Sequence, residues 1–171
     1  MSYLAEITVP NPESLIDAAW LRAVARLAAS GGDARFTPGG GVLLDRPLSN
    51  QDRLSLPAPK NNPPRWLDLP DDRFRAHYRA NSDFRSFIDS FTVAHARKGY
   101  RLVVIPLGRP LSARQLLTIA ACAEDFGHGS LRLTADVSIR LPNVPVALLR
   151  PLYDSLARAR LFAEQPAEMA A

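Results

Sequence analysis

Two stretches of this chain, 97 residues apart, stop a helix on glycine and follow it with the same pattern. Gly32 precedes Arg35-Phe36-Thr37, and Gly129 precedes Arg132-Leu133-Thr134. Tyr3 and Tyr100 keep that offset of 97. Within the intervening helix an offset of 96 fits better, laying Trp20 over Leu116, Ala23 over Ile119 and Leu27 over Ala123. Any two strand–helix–strand units share such periodicity, but R-x-T after a glycine stop is more specific. The sequence reads as an internal pseudo-repeat.

Each copy spells strand, helix, strand. In the first, Ala5, Ile7 and Val9 alternate with Glu6 and Thr8, as in a half-buried strand. Ser14 or Asn11 can cap the next helix, with Pro12 near its start; its stripe is Ile16, Trp20, Ala23, Val24 and Leu27. Gly31-Gly32 stop it, and a second strand runs from about Ala34 to Leu44, interrupted by Gly39-Gly40-Gly41. In the second copy RLVVIPL is a strand, and Ser112 with Gln115 gives the S-x-x-Q capping box of a helix. The buried stripe is Leu116, Ile119, Ala120, Ala123 and Phe126, ended by Gly127 and Gly129. SLRLTADVSIRL then alternates as one strand. Leu133, Ala135, Val137, Ile139 and Leu141 face one way, and Arg132, Thr134, Asp136, Ser138 and Arg140 the other. A last helix spans about Val146 to Phe162, with Pro151 disturbing its first turn.

Two such halves sharing a sheet give an α+β class fold, a ferredoxin-like sandwich. The expected organisation is a first half at 1–48, a Pro-rich connector at 49–70, a helical arm at 71–98, the second half with its C-terminal helix at 99–163, and a tail at 164–171. The connector holds five prolines and reads as extended and poorly packed. In the arm, Asp71 to Ala80 forms one helix and Ser82 caps another. The stripe Phe84, Phe87, Ile88, Phe91 of that second helix covers the sheet or a helix pair.

Composition narrows the chemistry. One cysteine excludes a disulfide framework and any all-cysteine iron–sulfur site made by this chain alone, since such a site takes about four ligands. Cys122 lies beside the apolar stripe of its helix and reads as a small hydrophobe. His77, His95 and His128 fall on different elements with no ligand-spaced partner, so no metal site is expected. His128, between glycines, reads as a turn residue, and His95 as one turn beyond Phe91 on the same helix. No apolar run approaches the ~18 residues of a membrane span, and MSYLAEITVPNPES lacks a signal pattern, so a cytoplasmic protein is expected. The net charge is +4, and 19 of the 21 basic residues are arginine. Interleaved aspartates dilute the basic runs RFRAHYR and ARARL, so nucleic-acid binding is not expected. Gly39-Gly40-Gly41 precedes a strand rather than a helix, which favours a hairpin or bulge over a phosphate-binding loop.

From Asp71 onward the chain resembles the nitrite/sulfite reductase family, in its second ferredoxin-like half and the helix before it. The residues that carry the likeness are Leu107-Gly108-Arg109, Phe126-Gly127, Arg132-Leu133-Thr134 and Val144-Pro145, in the family's order and spacing. Residues 1–48 look like a weaker version of the partner half. The resemblance implies oxidoreductase ancestry. In the family two such halves brace domains that carry siroheme and a 4Fe–4S cluster, and basic residues hold anionic groups. By that likeness Arg35, Arg132, Thr134 and Arg140 are the candidate cofactor- or anion-facing residues; no catalytic residue is assigned.

The chain departs from the family in two ways. The cluster cysteines are absent, and Asp136-Val137-Ser138 stands where the family has Gln and Asn. A carboxylate there opposes an anion unless Arg132 or Arg140 neutralises it. The reading is therefore an accessory, scaffold or interaction module with a degenerate active site, not catalytic alone. It binds no cofactor by itself, and siroheme only together with a partner. That partner is a reductase-like subunit or a second copy. The alternatives are a subunit of a split siroheme-dependent reductase and a small-anion-binding regulatory domain.

Overall fold

The computed structural model describes residues 5–9 and 15–162. Its first unit is β1 (Ala5–Thr8), β2 (Leu15–Asp17), α1 (Ala18–Ala29), β3 (Ala34–Phe36) and β4 (Gly41–Leu44). The helix begins later than the periodicity predicts, because Leu15 and Ile16 pair with a strand of the second unit. Asp17 is the N-cap, its Oδ1 accepting from Trp20 N at 2.8 Å. Asn11, Pro12, Ser14 and the tail lie outside the described residues.

Between the units come α2 (Asn50–Leu54), α3 (Asp72–Ala80), α4 (Ser82–Phe91) and β5 (Thr92–Ala94). Asn81 rather than Ser82 caps α4, its side chain accepting from Phe84 N at 2.8 Å. The helix stops at Phe91 because Thr92 to Ala94 pair with the next strand, so His95 sits beyond the helix on which the spacing places it. The second unit follows as β6 (Tyr100–Pro106), α5 (Ala113–Gly127), β7 (Ser130–Thr134), β8 (Ser138–Pro145) and α6 (Leu149–Arg158). The Ser112–Gln115 capping box closes α5 as expected. A 3-10 turn at Val146–Leu148 precedes α6, which therefore starts later than expected.

The alternating run SLRLTADVSIRL is a hairpin, not one strand. Its loop is Ala135-Asp136-Val137, with Val137 N–H donating to Thr134 O at 3.0 Å and Val137 at φ 56. Three-residue hairpin loops close through a left-handed last residue. The first unit makes the same turn: Gly40 N–H donates to Thr37 O at 3.0 Å, with Gly40 at φ 78. Glycine adopts that conformation freely; a β-branched valine does not. The glycine run is thus a hairpin loop.

Among the described residues all strand pairs are antiparallel, in two sheets ordered β1-β4-β3 and β2-β7-β8-β6-β5. Within each unit the order is the same: opening strand, final strand, middle strand. Register agrees too, with Phe36 opposite Val42 and Leu133 opposite Ile139. The single shared sheet expected from sequence is replaced by two, because each unit lends its helix-leading residues to the other. β2 joins β7, and Leu111, just before α5, bridges Ala34 in β3.

Helices α1 and α5 pack on one another over the inner sheet faces. Trp20, Leu21, Val24, Leu116, Ile119, Phe36, Val42, Leu131 and Ile139 share one buried cluster. Each such aliphatic or aromatic side chain contributes ~1.5–3 kcal/mol on burial. Phe84 is fully buried, its ring 6.0 Å from Phe74 and 5.6 Å from Tyr153, so the arm stripe covers α6. Antiparallel sheets with helices over one face make this an α+β, ferredoxin-like fold. Among the described residues no helix is long and apolar enough to cross a membrane.

Candidate functional site

The hairpin between β7 and β8 brings three of the four candidate residues together. Arg132 stands directly opposite Arg140, and Thr134 opposite Ser138. Leu131 and Leu133 alternate with them and enter the core, so the polar side chains occupy the outer face. Leu15 flanks Arg132 on one side, and Val104 flanks Arg140 on the other. Arg35 is elsewhere: it lies on β3 of the other sheet, opposite Leu43, whose second neighbour is Glu6.

Asp136 organises the hairpin tip. Thr134 Oγ1 bonds to its Oδ1, and Ser138 Oγ donates to the same oxygen at 2.7 Å. Thr134 Oγ1 also lies 3.0 Å from Ser138 O. Arg140 Nη2 stands 3.5 Å from Asp136 Oδ2. The Thr134 hydroxyl, then Ser138, with Arg140 beside them, hold the Asp136 carboxyl below its ordinary value. Arg140 Nε is buried with no partner among the described residues. Thr134 and Arg140 are therefore already committed to a carboxylate of this chain. Siroheme carries carboxylates of its own, and a face centred on Asp136 does not fit them.

The remaining candidates take structural roles. Burial pushes the Cys122 thiol up to about 12, with Asp125 adding to the effect. His77 packs edge-on against Phe84 at 6.4 Å between ring centroids. His95 lies 6.0 Å from the Trp66 ring. Among the described residues no group of His, Cys, Asp and Glu is placed to hold a metal.

Sequence reasoning missed the connector. From residue 57 to its end it forms neither helix nor strand, yet it is tied down. Lys60 N–H donates to Asp17 Oδ2 at 2.9 Å, Asn62 N–H to Ser130 Oγ at 2.9 Å and Arg65 N–H to His128 Nε2 at 3.1 Å. The Tyr100 hydroxyl bonds both backbone groups of Leu67. Trp66 packs edge-on to Tyr100 at 5.0 Å, with the Arg97 guanidinium 4.4 Å from its ring centroid. Between this strap and the ends of α1 and α5 lies a cleft of about 550 Å³, lined by Asp17, Lys60, Arg65, Glu124 and His128 among others. The one sequence signal was a tryptophan set immediately after Pro63-Pro64-Arg65, an apolar anchor in a segment otherwise read as poorly packed.

No curated protein matches the chain. The stretch from β6 through α6, with the turn residues Leu107-Gly108-Arg109 and the strand Arg132-Leu133-Thr134, coincides with a known family. Residues 96–159 match the nitrite/sulfite reductase ferredoxin-like half domain, and over that stretch the chain is similar to that family.

Proposed function

We propose that the chain is a nitrite/sulfite-reductase-like ferredoxin-fold module without a redox centre of its own, acting as an accessory or scaffold protein for a partner. The observation that carries this reading is Asp136. Its carboxylate occupies the middle of the face that an anion would need, and it engages Thr134, Ser138 and Arg140. A single cysteine in 171 residues supports the same reading. The two units are copies of one β-α-β-β plan, supported by their common strand order and register.

A second reading makes the chain one subunit of a split siroheme-dependent reductase, or a small-anion-binding regulator. The register favours it at one point: Arg132 opposite Arg140 sets two guanidinium-bearing positions side by side on the outer face, a concentration of positive charge suited to an anion. A visible absorption spectrum of protein purified from its own host separates the scaffold from the siroheme-bearing subunit. The scaffold reading predicts a colourless protein that does not bind added siroheme. A siroheme-type band that survives purification and is lost in Arg132→Ala would overturn it.

A further inference from the structure

The strap crosses one end of the five-stranded sheet. It is held at the last residue of β2 (Asp17), the first of β7 (Ser130) and the first of β6 (Tyr100). Its amides meet side chains rather than a neighbouring strand, and Pro63 and Pro64 bring no N–H at all. A segment secured by a few side-chain bonds opens at far lower cost than a ladder strand. One anchor is an imidazole, the side-chain class that changes charge between pH 5 and 8. His128 is the C-cap of α5, at φ 64. Nε2 accepts the Arg65 N–H only while it carries no proton.

We propose that residues 60–67 are an acid-weakened latch: protonating His128 turns its accepting Nε2 into a donor facing Arg65 N–H, which removes one of the strap's anchors and loosens the wall of the cleft. Arg65 and Lys60 on the strap oppose the proton. Glu124 on α5 and Asp17 at the start of α1 favour it, although Glu124 is ion-paired with Arg22. Burial first, then Arg65, lowers the His128 pKa from its ordinary value. The bond is therefore fully present above the ordinary imidazole value and is lost as pH falls through the lowered one.

Amide exchange of the full chain at pH 7.5 and pH 5, corrected for intrinsic rates, tests this. Losing one bond of about 1.4 kcal/mol lowers protection of residues 60–67 about tenfold at pH 5. Protection of α5 stays unchanged. His128→Asn keeps a residue that tolerates the left-handed cap and removes the pH step. Should that variant fail to fold, Arg65→Pro deletes the same N–H and must also abolish the step. Equal protection of the wild-type strap at both pH values overturns the proposal. A step that persists in a folded variant does so too.

Discussion

Replacing Asp136 by Asn isolates what its charge does. The amide oxygen still accepts from Thr134 and Ser138, but both bonds lose charge assistance and the Arg140 ion pair disappears. Hydrogen bonds to charged groups contribute ~1.5–3 kcal/mol against ~0.5–1.5 for neutral ones. An exposed ion pair adds ~0.2–1 kcal/mol. The Asp136 side chain is 58% exposed, so the lower end applies. The expected loss is about 1 kcal/mol at pH 7, or ~2–4 °C in melting temperature for a chain of this size. Because the folded-state pKa is depressed, the stabilisation is complete above the ordinary aspartate value and is lost as pH falls through the depressed one. Thermal melts followed by circular dichroism, from pH 7 down to the acid limit of cooperative unfolding, should show the two proteins converging below about pH 4. A variant as stable as wild type at pH 7 would refute the role given to the carboxylate. So would a gap that stays constant into acid.

Phe84→Ala removes a fully buried ring from contact with Phe74, Phe87 and Tyr153. It should cost about 3–5 kcal/mol in urea unfolding, and a loss below 1 kcal/mol would mean that the arm does not pack on α6 as described. Cys122 is 2% exposed, with its thiol pushed up to about 12, so a thiol reagent at pH 8 should label it only at the rate of unfolding. Rapid labelling of the native protein is the contrary result.

The elements legible in the sequence were those whose side chains carry their own boundary chemistry. The Ser112–Gln115 box and the glycines after α5 mark that helix at both ends, and the Phe84 stripe finds its packing face from spacing alone. The β7–β8 hairpin was illegible for a definite reason. A three-residue loop keeps the alternation in phase, and Val137 takes the left-handed position where the equivalent Gly40 gives the turn away. Grouping Arg132, Thr134 and Arg140 on one face survived the error, because cross-strand neighbours at a hairpin share a face as residues two apart do. Grouping Arg35 with them did not, since similarity between units says nothing about how their sheets join. The strap was missed because its bonds are made by its backbone, which leaves no mark on composition.

The exchange of edges between the units bears on how far the half domain is a unit at all. Residues 96–159 contain β6, α5, β7, β8 and α6, but β7 pairs with β2 and α5 packs on α1, both of which lie outside that stretch. Cut free, the stretch would expose Leu116, Ile119 and Ala123 along one helix and leave the β7 edge unpaired. In exchange, Leu111 holds the edge of β3 in the first unit. Each half therefore completes the other. A single insertion between the helices would disturb both sheets together, whereas the connector, bound through side chains rather than a strand ladder, can loosen without breaking either.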